Sequence, residues 1–159
     1  MTTARPFQVT TVDQVGFVVK DLDRAMEAYW RVGVGPWRVY TYSAARLTEA
    51  TYRGKPANWS FRIALAKVGG FTLELIQPVS GESIYSEYLA THGEGGIQHL
   101  GLVVEDVDRV VEQALQSGYE LIQSGRGHGA RGDGKFAYFA TEDDLLTVYE
   151  VMELPSVRV

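Results

Sequence analysis

At 159 residues with a net charge of −5, the chain has room for one compact domain or two small modules sharing a core, and nothing in its charge points to nucleic acid or an anionic membrane as partner. Apolar residues at 45% and charged residues at 22% are the balance of an ordered soluble protein. The lack of cysteine removes disulfides, thiolate metal sites and cysteine nucleophiles, and no run has the apolar length of a signal peptide or a membrane span, so a cytoplasmic protein is expected.

The first element in chain order is the apolar, β-branched run Val15–Val19, which suits a strand covered on both faces. Asp21 is placed to cap a helix, and Asp23 favours the positive end of its dipole. Leu22, Ala25, Met26, Tyr29 and Trp30 then recur at helical spacing until Gly33, which suits the left-handed closing position. Strand-like segments follow over Trp37–Tyr42, Ser60–Lys67 and Phe71–Ile76. Ser83–Thr91 reads as a short helix with Ile84, Tyr85, Tyr88 and Leu89 on one face, and His92-Gly-Glu-Gly-Gly96 turns the chain. A second strand, Leu100–Val104, leads into a second helix capped by Asp106, carrying Val107, Val110, Val111, Ala114 and Leu115, and closed by Gly118. Strands over Glu120–Ser124, Phe136–Ala140 and Thr147–Met152 complete the pattern.

The two strand–helix units are copies. Val12-Asp-Gln-Val-Gly-Phe-Val-Val-Lys-Asp-Leu-Asp-Arg24 recurs as Ile97-Gln-His-Leu-Gly-Leu-Val-Val-Glu-Asp-Val-Asp-Arg109, with identities in the Gly16, Val18, Val19, Asp21, Asp23 and Arg24 columns and apolar exchanges in four others. The spacing still holds at Gly33 and Gly118. Neither half alone buries both faces of a four-stranded sheet. The expected fold is therefore α+β: two tandem βαβββ modules over residues 8–80 and 97–154, joined by a helical linker over 81–96, forming one structural unit around a shared open-barrel cavity.

Polar residues interrupt the apolar pattern at matching places in the two copies. Strand alternation puts Phe71, Leu73 and Leu75 on one face and Glu74 on the other; Tyr149 and Val151 likewise oppose Glu150. Gln14 and His99 share the face of Gly16 and Gly101. Each of these residues alone is ordinarily a solvated glutamate or a packed histidine. Together they send one neutral donor and one carboxylate from each module toward the same concave side, where facing carboxylates repel unless a cation or proton intervenes. Gln14, Glu74, His99 and Glu150 make a hard oxygen and imidazole set for one divalent ion, with room for water or substrate.

This twofold pattern, with His99 opening a module and Glu74 or Glu150 closing one, resembles the vicinal oxygen chelate (glyoxalase/bleomycin resistance/dioxygenase) superfamily from Val12 to Leu154. The segment Ser83–Asp106, with Ser-Ile-Tyr-Ser-Glu-Tyr-Leu and then His-Gly-Glu-Gly-Gly-Ile-Gln-His99, is similar to methylmalonyl-CoA epimerase-like and glyoxalase I-like members. Gln14 stands where the epimerases usually carry histidine and some glyoxalase I enzymes carry glutamine, and Gly134–Asp144 lacks the His-Pro and Gly-Gly features of an epimerase. The resemblance implies one divalent metal (Ni, Co, Mn, Zn or Fe) on Gln14, Glu74, His99 and Glu150, often in a homodimer. It also implies isomerase, epimerase or lyase chemistry on a small carbonyl or thioester substrate, in which the metal stabilises an enolate while Glu150 or Glu74 moves the proton. A metal-free binding protein of the bleomycin-resistance type is the alternative. An extradiol-type dioxygenase would need two histidines and a carboxylate on iron, and Gln14 occupies the place of one.

The run Ser124–Lys135 carries five glycines with Arg126, His128, Arg131 and Lys135 between them, and reads equally as a lid for an anionic substrate group or as a solvated hairpin. Its Gly129-x-x-x-x-Gly-Lys135 imitates a phosphate loop but ends in Phe136 and joins strand to strand. About half of Trp37, Tyr40, Tyr42, Trp59 and Phe61 should face the cavity. Arg46, Arg53 and Lys55 fall in a connecting loop.

Overall fold

The computed structural model describes residues 5–158. Its elements are β1 (Gln14–Val18), α1 (Leu22–Trp30), β2 (Arg38–Ser43), β3 (Glu49–Tyr52), β4 (Lys55–Pro56), β5 (Ser60–Val68), β6 (Phe71–Ser80), α2 (Ile84–Thr91), β7 (His99–Val103), α3 (Val107–Gln116), β8 (Leu121–His128), β9 (Gly134–Phe139), α4 (Glu142–Leu145) and β10 (Val148–Glu153). All ten strands join in one curled α+β half-barrel, in the order β2-β5-β6-β1-β7-β10-β9-β8-β3-β4. The two βαβββ copies meet at its middle. β1 runs parallel to β6 and β7 parallel to β10, while β1 and β7 pair antiparallel as the seam.

The helices form where the repeat places their caps. The Asp21 side chain accepts from the Arg24 N–H and that of Asp106 from the Arg109 N–H, both at 3.0 Å. Gly33 and Gly118 take φ of +90° and +89°, which a side chain would strain. Leu22, on α1, packs with Ala64, Leu73 and Leu75 on the convex face of β5 and β6. Val107 and Ala114, on α3, pack with Ala137, Phe139 and Val151 on β9 and β10. Trp30 and Leu115 depart from the expected packed stripe, being 63% and 51% exposed. Each follows the last residue of its stripe by one position, and the roughly 100° step of the helix carries it off the buried face. The helix capped by Ser83 buries Ile84 and Tyr85 in the cluster on the concave side.

Two features lie outside the expected pattern. Arg53 and Gly54 (φ +48° and +77°) close a two-residue hairpin between β3 and β4, in the segment read as a loop. This hairpin leaves the first copy and pairs through β3 with β8 of the second. The glycine-rich run is mostly paired: β8 reaches His128 and β9 begins at Gly134, so that only residues 129–133 form the turn. Among the described residues no helix is long and apolar enough to cross a membrane.

Because each cap answers one otherwise unpaired backbone N–H, Asp106→Ala should lower the unfolding free energy by about 1 kcal/mol in urea titration.

Candidate metal centre

At the seam, strand register decides which side chains can meet. Gly16 lies opposite His99 on β7 and beside Glu74 on β6; Gly101 lies opposite Gln14 on β1 and beside Glu150 on β10. A Cβ at Gly16 would collide with the His99 ring, 1.9 Å from its Cε1, and one at Gly101 would lie 2.8 Å from the Gln14 Cβ and 2.5 Å from Met152 Cε. The repeated glycine thus leaves the space in which each polar side chain lies across its neighbour strand.

Into that space the structure brings all four residues singled out above. His99 Nε2 lies 3.1 Å from Glu74 Oε2 and 3.3 Å from Glu150 Oε2, with the side chain of His99 fully buried and those of the glutamates 7% and 6% exposed. Gln14 Nε2 lies 2.6 Å from Glu74 Oε2 and 3.3 Å from both Glu150 Oε2 and His99 Nε2. The other ring nitrogen, His99 Nδ1, is 2.7 Å from the Gln98 side-chain oxygen. That amide oxygen can only accept, so Nδ1 carries a proton and Nε2 is directed at the carboxylates. Gln98 was not foreseen as part of the cluster; its only signal was its place beside His99. The Tyr138 ring meets His99 edge-on at 5.2 Å, and the Tyr85 hydroxyl donates to that of Tyr138 at 2.7 Å.

The cluster calls for positive charge. Burial raises the Glu74 pKa, only partly opposed by His99, and the neighbouring Glu150 raises it further. Burial alone would depress His99, but its hydrogen bonds to Glu150 and Glu74 outweigh it and lift the imidazole to about 9. Without an ion, a proton on Nε2 supplies the charge. A divalent ion suits the same place: the donor atoms of Glu74, His99 and Glu150 all lie within 4.8 Å of one another. Neighbouring donors about 2.1 Å from an octahedral ion stand about 3.0 Å apart, close to the separations here. Turning the Gln14 amide over would present its oxygen as a fourth donor.

Gln14, Glu74 and Glu150 of the centre line one wall of a small cavity of about 40 Å³, with Phe61, Tyr85, Phe136 and Tyr138 as aromatic walls and Tyr42, His128 and Arg158 also on its lining. Of the aromatic residues flagged in the sequence, Tyr42 and Phe61 face this cavity; Tyr40 lines an adjoining cleft, Trp37 packs toward α1, and Trp59 is core. The cations of the glycine-rich run divide. Arg126 and Lys135 both pair with Asp108 at the start of α3, Lys135 at 3.0 Å, and are thus engaged in a structural contact. His128 turns inward instead, with Nδ1 3.3 Å from the Tyr42 hydroxyl and Nε2 buried without a partner. Burial, with Arg158 adding to it, pushes His128 down to about 4, so the ring is neutral. Arg53 pairs with Glu87 at 2.8 Å.

Comparison with known proteins accords with this architecture. Residues 13–138 match the profile of the Glyoxalase/Bleomycin resistance protein/Dioxygenase superfamily. No curated protein sequence matches. A variant of Streptomyces coelicolor methylmalonyl-CoA epimerase in complex with 2-nitronate-propionyl-CoA superposes with a TM-score of 0.69 at 20% identity, over 94% of this chain and 100% of that one. Methylmalonyl-CoA epimerase from Mycobacterium tuberculosis gives 0.63 at 24% identity, over 98% and 92%. A hypothetical protein from Bacillus halodurans C-125 gives 0.61 at 20%, over 94% and 97%. At these identities the likeness is one of fold.

A raised folded-state pKa stabilises below the unfolded value and ceases to do so as pH rises through the folded value. Chelator-treated protein should therefore lose stability between pH 6.5 and about 9 through His99, on the order of 3 kcal/mol, with Glu74 acting in the same direction at lower pH. Urea titrations across that range measure it, and protein saturated with a divalent ion should show a smaller loss.

Proposed function

This chain belongs to the Glyoxalase/Bleomycin resistance protein/Dioxygenase superfamily, and from that premise we propose that it is a divalent-metal-dependent isomerase, epimerase or lyase acting on a small carbonyl compound or thioester. The observation that carries this reading is the buried meeting of Gln14, Glu74, His99 and Glu150, three of which line an aromatic-walled cavity. Gln14, Glu74, His99 and Glu150 would hold the ion, and Gln98 orients the imidazole through Nδ1.

Bound there, a divalent ion supplies Lewis acidity that stabilises developing enolate charge. The protein supplies the proton transfer. Glu74 and Glu150 approach from β6 and β10, on either side of the β1–β7 seam. One takes the α-proton and the pair returns it, which makes both catalytic residues in this scheme. In the ion-free site burial raises the Glu74 pKa, so a Glu74 released from the ion would be a stronger base than an exposed carboxylate. Return to carbon gives epimerisation or isomerisation, and departure of a leaving group gives elimination. Phe61, Tyr85, Phe136 and Tyr138 keep water from the enolate. A thioester is among the candidate substrates because a structure of like fold holds a CoA thioester analogue.

Protein purified without chelator should contain about one divalent ion per chain by elemental analysis, and Glu150→Ala should lose most of it. An ion-free native protein that gains none from added Ni, Co, Mn or Zn would favour a ligand-sequestering role; retention by Glu150→Ala would discard the proposed ligand set. Incubation in deuterated water with candidate thioesters, α-hydroxy and α-keto compounds should show α-deuterium uptake, which Glu74→Gln and Glu150→Gln each slow by about a hundredfold or more. Uptake at the native rate in both variants would remove the glutamates from the mechanism.

A further inference from the structure

The end of the described chain reaches back over the cavity. Beyond β10, Pro155 packs against Gly129, where a Cβ would have no room. The Ala130 N–H donates to the Val157 carbonyl at 2.9 Å, and the Ser156 N–H to the Asp133 carboxylate at 3.2 Å. Three successive residues are thereby fixed to the β8–β9 turn, and the next is Arg158. Its guanidinium lies 5.7 Å from the centre of the Tyr40 ring. It lines the metal-side cavity and also the adjoining cleft of about 640 Å³, which shares Gln14, Leu65, Met152 and Leu154 with that cavity. None of the ion pairs among the described residues involves Arg158.

A half-buried cation with no carboxylate partner among the described residues, held in place by backbone contacts on the residues just before it, is suited to an anion brought from outside. His128 strengthens this. It lines the same cavity, and its Nε2 is buried and unpartnered. Burial keeps the Tyr42 phenol protonated, with a pKa pushed up to about 12 although Arg158 opposes it. In the tautomer in which the Tyr42 hydroxyl donates to Nδ1, the neutral ring offers its Nε2–H as a donor. Glu74 and Glu150 line this cavity too, so a molecule whose anionic end met Arg158 would extend its other end toward the metal centre.

We propose that Arg158, with His128 beside it, is the specificity site for an anionic oxygen group, carboxylate or phosphate, on the substrate. This rests on the reading of the site as a metal-dependent enzyme and narrows its substrate to carbonyl compounds bearing such a group away from the reacting carbon.

Three probes of equal length test it on the metal-loaded protein by calorimetry: glutarate monohydroxamate, the same hydroxamate ending in an amide, and the same ending in a phosphonate. The hydroxamate supplies the pair of vicinal oxygens for the metal. A charged probe should bind about tenfold or more tightly than the amide probe, and the tighter of the two identifies the group. Arg158→Met should remove that preference while leaving the metal content and amide-probe affinity unchanged. Arg158→Lys should keep part of the preference, and His128→Phe should reduce it. Equal binding of charged and amide probes by the native protein, or a preference that survives in Arg158→Met, overturns the proposal. If the protein holds no metal and binds no hydroxamate, the enzyme reading has failed. Glutarate against glutaramide, followed by intrinsic fluorescence, then puts the same question to the cavity: a preference for glutarate lost in Arg158→Met upholds the anion site, and no preference overturns it.

Discussion

Two carboxylates held against one imidazole, out of water, at the junction of β1 and β7, set the terms for the rest of this molecule. Buried like charges are tolerated only where a compensating charge stands between them, and the energy involved is large on the scale of a domain's net stability. Each neighbouring group is arranged to meet that condition. Gln98 ties Nδ1 so that Nε2 is left for the carboxylates, and the Gln14 amide lies against the same oxygens. The Tyr138 ring edge fixes the imidazole from the side, and Gly16 vacates the volume that the ring occupies. The need for a cation at this point therefore follows from the packing of the seam.

Duplication explains how such a site arises from a short chain. A strand–helix unit used twice places a first-strand residue and a last-strand carboxylate at the centre twice over, and antiparallel pairing of β1 with β7 brings the two copies face to face. The framework is symmetric, with matching caps, matching left-handed glycines and matching glycines in the seam. The chemistry is not: an amide from β1 stands opposite an imidazole from β7, so the two flanking carboxylates have different surroundings.

Elements outside the duplicated pattern add to this framework, and the segment after β10 brings Arg158 to the cavity. The β3–β4 hairpin crosses from the first copy to extend the second copy's sheet, β8 carries the inward-facing His128, and the segment after β10 folds back onto the β8–β9 turn. The buried polar cluster thus draws on elements common to both modules, and the opposite side of the cavity adds the segment after β10 to module strands.

The repeat, the fold class, both helix caps, the closing glycines and the four polar residues of the seam were legible in the sequence because they depend on local rules: strand alternation with period two, helical spacing, and caps at fixed offsets. Other features depend on residues far apart in the chain, and no local pattern encodes them. The glycine-rich run could be read as a lid or as a hairpin until Asp108, on a different element, was seen to hold Arg126 and Lys135. Trp30 and Leu115 fitted a helical stripe, but each stands one roughly 100° step past its last packed residue and is exposed. Gln98 and Arg158 acquire meaning only from the ring and the cavity that they face. The sequence by itself determined which residues could form the centre, since their spacing and alternation fix the side of the strand from which each projects. Only the tertiary structure decided that they are buried together and what stands opposite them, because burial and electrostatic environment belong to the packed sheet and not to any one segment.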